Sequence, residues 1–416
     1  CKGTAHDQPV RASVGDFPAP GNPGHIPAGD ALWSWARAVV AYNPRVLEQL
    51  TQQLCAAQSL TAAQVDAAVN HLVDEAVPVP VKADFLGALT RKGETPEEIT
   101  AFAIALRDRA VIPPLDPAWR EAHEILDVVG TGGDRLSTFN ISSTAALVCT
   151  AAGVIVAKHG NRAVTSSVGS ADVMESLGLP FDLEAAEAAQ ALREHGFAFF
   201  FAPKYHPAFK HIVPARKLCA ARGQSTIFNF LGPLLNPVRP SAALIGVPRP
   251  ELCQPLAQVL QSLGLRRAMV VCGRVPPLTA KANPEQSSDS TGSVSESPAT
   301  AVRFLDELSI LGENTVAEFY QERALTCASF DPRLLPLQPA TLADLRGGDR
   351  EVNATLIRGI LRGEDRGPRR DVVLLNAGAA LFVAGAAASI ADGWALAAEI
   401  IDTGRAQRKL EALQAG

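Results

Sequence analysis

The sequence predicts an α/β protein in two parts: a small helical domain over residues 31–112 and a larger α/β domain over 118–416, with a mainly parallel central sheet and flanking helices. Three observations carry that expectation. A chain of 416 residues is more than one compact core usually holds. Helix-start signals and a helical apolar period follow one another before residue 110. After Pro113-Pro114, short apolar runs alternate with helix-like segments, the pattern of parallel strands covered on both faces.

Residues 1–30, rich in Gly, Pro, Asp and His, read as a flexible leader without the Arg/Ser bias of a transit peptide or the apolar stretch of a signal peptide. A first residue of Cys fits a processed or excerpted product. Thr61-Ala-Ala-Gln64 is a capping box ahead of Val65, Val69 and Leu72. Thr95-Pro96-Glu97-Glu98 repeats the device with Pro in the first turn, and Ile99, Phe102 and Leu106 then share one helical face. Helices around 204–222 are expected to complete this domain. Strands are expected at 125–129, 154–157, 197–202, 242–247 and 269–272. Residues 276–300, Ser/Pro-rich and almost without large apolar side chains, read as a disordered surface insertion.

Composition excludes several classes. With 47% hydrophobic and 19% charged residues the chain is globular, and a net charge of −5 offers no footprint for nucleic acid or an anionic membrane. Any polyanion must therefore be held locally. Seven scattered Cys, with no CxxC pair and no Cys/His cluster, point to reduced thiols in a cytoplasmic protein. No apolar run approaches the roughly 18 residues of a membrane span.

Ligands of such sheets sit beyond the strand C-terminal ends, and the polar residues fall there. After the first strand comes Gly130-Thr-Gly-Gly-Asp134, with Asn140-Ile-Ser-Ser143 opening a helix of small residues. Closely spaced glycines let backbone N–H groups approach an anion, and the helix N-terminus adds donors and a favourable dipole, which makes a phosphate cradle. The same residues also suit a plain tight turn before a capped helix. Arg135 stands where a dinucleotide fingerprint needs its third Gly, and no GxxxxGK[ST] occurs, so neither nucleotide motif applies. After the second strand, Lys158-His-Gly-Asn-Arg162, Ser170 and Asp172 can hold a second phosphate or a carboxylate, so the substrate carries separated anions. His159 alone reads as a hydrogen-bonded loop histidine sooner than as an acid–base catalyst. Pro203-Lys-Tyr-His206-Pro207 leads to Arg216-Lys217, either an aromatic wall with an Arg for a carboxylate or a solvated helix face. Phe228-Asn-Phe-Leu-Gly-Pro-Leu-Leu-Asn-Pro237 reads as packing. Asp306-Glu307 reads as surface charge, or as ligands for Mg²⁺ if a pyrophosphate lies nearby.

Taken in order, GTGGD with TFNIS, KHGNRAV with GSADV, HPAFKH with ARK, TIFNFLGPLLNP, and the closing ENTV, LRGGD, NA and NAGAAL segments resemble the anthranilate phosphoribosyltransferase family. The resemblance runs from about Ala31 to the C-terminus, outside the insertion. It implies a helical domain beside an α/β domain, usually in a homodimer. It also implies transfer of a phosphoribosyl group from 5-phosphoribosyl 1-pyrophosphate (PRPP) to anthranilate with Mg²⁺, the second step of tryptophan biosynthesis. By motif, it assigns Gly130, Gly132, Gly133, Asp134, Thr138, Asn140, Ser142, Ser143, Lys158 and Ser170 to PRPP. Anthranilate falls to Gly130, His159, Asn161, Tyr205, His206 and Arg216, and the metal to Ser142, Asp306 and Glu307. No general acid or base is implied. Arg135 replaces a common Gly, Ser143 a Thr, and Ser167-Val168 a Lys-Ser; the insertion directly precedes the acidic pair. The replaced cation at 167 bears on PRPP affinity. A pyrimidine nucleoside phosphorylase, or a non-catalytic nucleic-acid-binding paralogue of the same fold, are the alternatives.

Overall fold

Among the described residues four helices come first: α1 (Arg45–Cys55), α2 (Ala62–Val73), α3 (Val79–Lys92) and α4 (Pro96–Arg107). The computed structural model describes residues 45–163, 168–277, 302–320 and 324–415, all within the unit Pro44–Gly416. The expectations for 1–30, for 167 and for nearly all of the 276–300 insertion lie outside the described residues. Both capping boxes form: Thr61 and Thr95 accept from the Gln64 and Glu98 backbones while those side chains reach back. Val65, Val69, Leu72, Phe85, Leu86, Ile99, Phe102 and Leu106 are buried. They share one core with the helices Val213–Ala221 and Cys253–Ser262 and with one face of the sheet.

Among the described residues the sheet has eight strands: β1 (Ile125–Gly130), β2 (Ile155–Gly160), β3 (Phe197–Phe201), β4 (Ala242–Gly246), β5 (Arg267–Val275), β6 (Arg303–Leu305), β7 (Asn314–Tyr320) and β8 (Thr326–Phe330). Its order is β3-β2-β1-β4-β5-β7-β8, with β6 also on β5. The first five are mutually parallel. β6 and β7 run antiparallel to β5, and β8 antiparallel to β7. These three strands escape the sequence reading because they lack the continuous apolar run of a strand buried on both faces; β8 is largely exposed. The opposite face is packed by the helices Ile141–Ala151 and Pro368–Val383. The chain winds outward from β1 through β2 to β3, then returns to start β4 beside β1. The strand order thus reverses between β1 and β4, where open α/β sheets bind ligands. Their last residues, Gly130 and Gly246, are paired.

One expectation is corrected here. Lys158, His159 and Gly160 are ladder residues of β2, paired with Phe199, Phe200 and Phe201, and do not lie in a loop after it. The ladder extends because β3 runs alongside β2 to Phe201. Strand alternation then sends the Lys158 and His159 side chains to opposite faces, and each is buried with a polar contact.

Among the described residues no helix is long and apolar enough to cross a membrane, and Cys55, Cys149, Cys219, Cys253, Cys272 and Cys327 are free thiols.

Candidate active site

The acidic segment lies across the strand ends. A Cβ on Gly130 would strike the Asp306 side chain, one on Gly246 the Asp306 backbone, and one on Gly273 the Glu307 carbonyl and Ser309. Three glycines on three neighbouring strands thus make a bed for residues 306–309. Two buried asparagines clamp it. Asn376 accepts from Leu308 N and donates to Leu308 O, both at 3.0 Å; Asn314 does the same for Ser309 at 2.7 and 3.0 Å. The Asp306-Glu307 pair is therefore no loose surface charge: Glu307 is buried and Asp306 partly so.

Gly132 and Gly133 have φ of 77° and 90°, a backbone that needs glycine. The turn they make aims the Gly132 N–H at Asp306 Oδ2, 2.6 Å away. The helix after it starts at Ile141 without a side-chain cap on Asn140, and Ser142 N donates to Glu307 Oε1 at 3.2 Å. The carboxylates thus stand at backbone donors suited to anions. Thr138 bridges to Arg346, Phe139 N donates to Leu345 O, and Asn353 Nδ2 donates to Asn140 Oδ1 at 3.0 Å. The LRGGD and NA segments are braces for this loop.

Burial, then the neighbouring Asp134 and Glu307 carboxylates, hold Asp306 well above the usual carboxylate range. Burial raises Glu307 too, with Lys158 opposing. Lys158 donates through Nζ to Val128 O at 2.7 Å; burial lowers its pKa while Asp127 and Glu307 pull it back up. Asp134 Oδ2 and Ser143 Oγ are buried without a partner. A crowded carboxylate pair with idle oxygens beside it fits a hard divalent cation that shares its shell with phosphate and water. Among the described residues no group of three or more His, Cys, Asp or Glu makes a ready metal cage.

On the other face, an aromatic file runs away from β2. His159 meets His206 edge to face at 5.4 Å, His206 stacks on Phe209 at 4.9 Å, Phe209 meets Phe228 at 5.7 Å, and the Arg216 guanidinium lies 5.4 Å from the Phe228 ring centre. Burial depresses both histidines, to about 3 for His159 and about 4 for His206, so both rings are neutral at pH 7. His159 Nε2 is buried without a partner. The TIFNFLGPLLNP segment does more than pack. The Leu235 carbonyl accepts from His206 Nε2 at 2.8 Å, the Gly232 carbonyl faces the His159 ring as an acceptor, and Asn236 Nδ2 donates to Asp127 Oδ2 at 2.8 Å and Ala157 O at 2.7 Å.

Two expected members stand apart. Tyr205 packs on Phe200 in a separate cluster, and its hydroxyl donates to Leu183 O at 3.2 Å, so its ring does not join the file. Arg162 is held by Asp172 at 2.8 Å and Glu175 at 2.9 Å and is no free anchor for an anion. Ser170 sits over Gly160 at the end of β2, where a Cβ would strike its Oγ, and the exposed Asn161 accepts from Ser170 and Ala171 through its carbonyl. The residues missed in the sequence are Gly246, Gly273, Asn314, Asn376, Asp127 and Asn236. Each reads alone as a strand end or a core polar group, and only the register between strands joins them.

A helical bundle joined to a mainly parallel sheet, with an anion-binding loop and an acidic segment at the switch point, is the make-up of a glycosyl transferase class. The description "Glycosyl transferase family, a/b domain" matches residues 122–283 and 285–407, and "Glycosyl transferase family, helical bundle domain" matches 46–110. Anthranilate phosphoribosyltransferase of Petrotoga mobilis is 39% identical over 360 residues, covering 86% of this chain and 94% of its own. That of Geobacter sulfurreducens is 41% identical, covering 85% and 94%. The crystal structure of the Thermus thermophilus enzyme matches with a TM-score of 0.73 at 36% identity, covering 88% of this chain and 98% of its own. The Saccharomyces cerevisiae enzyme in complex with PRPP and Mg matches with a TM-score of 0.73 at 25% identity, covering 89% and 97%. The chain belongs to the anthranilate phosphoribosyltransferase family.

Proposed function

We propose that this chain transfers the phosphoribosyl group of PRPP to the amine of anthranilate, releasing pyrophosphate, in the second step of tryptophan biosynthesis. The observation that carries the reading is the acidic segment clamped at the β1/β4 switch point, facing a glycine loop and a helix N-terminus on one side, with a neutral aromatic file ending in Arg216 on the other. Asp306 and Glu307, with Ser142, would hold Mg²⁺, which supplies positive charge to the departing pyrophosphate.

Breaking the C1–O bond leaves negative charge on pyrophosphate and positive charge on the ribose. Gly132 N and Ser142 N, which here hold the Asp306 and Glu307 carboxylates, would turn to stabilise the former when those carboxylates serve a cation, with Lys158 nearby. The aromatic amine attacks C1 neutral and sheds its proton afterwards, so orientation takes the place of a strong base. Neutral His159 and His206 line the acceptor side, and Arg216, whose pKa burial lowers, would pair the anthranilate carboxylate. Following anthranilate fluorescence after adding PRPP and MgCl₂ tests this: a decay that needs all three components is expected, and a constant signal with folded protein refutes it. Phosphorolysis of uridine or thymidine in the same preparation would move the reading to a nucleoside phosphorylase.

We propose further that the protein works as a cytoplasmic homodimer. The exposed Ile104, Val111 and Ile112 near the end of the helical domain supply apolar surface for such a contact. A monomer mass in sedimentation at micromolar concentration would refute the dimer.

A further inference from the structure

Arg107 is the last residue of α4 and the one cation that the helical domain's fourth helix sends into the interior; it is 5% exposed. Its Nε donates to Leu234 O at 2.5 Å. That carbonyl stands beside the Leu235 carbonyl, which takes His206 Nε2, and two residues from the Gly232 carbonyl, which faces His159. Asn236 closes the same turn onto Asp127. The carbonyls of residues 232, 234 and 235 and the Asn236 amide thus tie this turn to the two histidines of the aromatic file and to the anchors Arg107 and Asp127.

We propose that Arg107 is a positioning residue for the acceptor side of the site, fixing the 232–236 turn and through it the rings of His159 and His206; this rests on the reading above that anthranilate binds against those rings. Burying a guanidinium costs far more than burying an apolar side chain of the same size, so packing alone does not account for it. Its charge has a use at this spot. Positive charge beside two imidazoles opposes their protonation, and Arg107 acts so on both. His206 beside it and Lys158 on the far face of the sheet also oppose protonation of His159, and Arg107 is itself flanked by Arg239, Asp127 and Asp108. A carbonyl only accepts, so His206 Nε2 carries its proton and Nδ1 is left as an acceptor. His159 keeps its unpartnered Nε2. Neutral rings in fixed tautomers present lone pairs, which can receive the N–H groups of an aromatic amine and turn its own lone pair toward the ribose; protonated rings would repel it from that geometry.

The test compares wild type, Arg107→Lys and Arg107→Met. Histidine side-chain NMR, with His159→Asn and His206→Asn for assignment, gives the titration of each ring. In Arg107→Met both rings are expected to protonate roughly one pH unit higher, because an opposing cation is gone, while Arg107→Lys stays near wild type. Steady-state kinetics should show the KM for anthranilate raised about tenfold in Arg107→Met, with the KM for PRPP unchanged and partial rescue in Arg107→Lys. A thermal melt separates these effects from unfolding, and if Met does not fold, Lys and Gln carry the comparison. Unchanged titrations together with an unchanged anthranilate KM in a folded variant overturn the proposal. A wild type that consumes no anthranilate would remove the proposed function, and the NMR arm would still decide whether Arg107 governs the two rings.

Discussion

Arg135 holds φ at 57°, a left-handed backbone that costs a side-chain-bearing residue about 1 kcal/mol or more. The family resemblance already marks this position as commonly Gly, and the dihedral supplies the reason. Arg135→Gly is therefore expected to stabilise the protein by about 1 kcal/mol, read from the denaturant midpoint; a loss would mean the guanidinium makes a stabilising contact in solution. Asp306 makes a prediction of the opposite kind. Its carboxyl is held above its unfolded value, so the folded state keeps a proton that the unfolded chain loses. The stability this gives is fully present below about pH 4 and is lost as pH rises through the folded pKa. Asp306→Asn has no such loss, so its melting temperature should gain on wild type from pH 4 to pH 8 while kcat/KM falls by at least ~100-fold. A wild type that stays the more stable across that range would contradict the assignment. At this scale the sequence was legible where chemistry is local: GTGGD, Lys158 and Asp306-Glu307 are named by residue type and spacing. Tyr205 and His206 are adjacent, and nothing in their order tells that one ring enters the file and the other leaves it.

Among elements, helix starts were the most legible because a capping box states both partners within four residues; Thr61 with Gln64 and Thr95 with Glu98 form as expected. Strand ends were less so. The ladder through Lys158 and His159 depends on neighbours far along the chain, and so does the row of Gly130, Gly246 and Gly273. Gly246→Ala tests that row: the methyl would lift the Asp306 backbone, costing about 1–3 kcal/mol of stability and raising the KM for PRPP, whereas an unchanged KM would show that the bed yields. β5 and β6 make a second test. Val275 pairs with Arg303, Arg274 with Phe304 and Gly273 with Leu305, so β5 and β6 are held together just before Asp306. Replacing 279–300 by a short Gly/Ser link should leave kcat/KM within about twofold, since loop length adds little once the ends are fixed. A large loss would give those residues a part in the site.

For the whole molecule, the division into a helical and an α/β part followed from periodicity and length, but the antiparallel edge and the common core did not. Residues of α2 to α4 share their apolar cluster with β4 and β5, so the helices are not an independent module. Ligand binding should accordingly report on the entire fold: PRPP with MgCl₂ at ~100 times its Kd is expected to add about 2.7 kcal/mol to a single cooperative melt. Two separated transitions, only one of them shifted, would show the parts to be uncoupled. The clamp by Asn376 also bears on how the protein is made. The glycine loop after β1 leaves the ribosome roughly 250 residues before that asparagine, on the order of ten seconds to a minute at usual elongation rates. Throughout that interval the nascent chain has its loop but not the brace that seats Leu308, so competence arrives in one step once Asn376 is in place. A translation product halted before residue 376 is expected to be inert even with β1 to β8 complete.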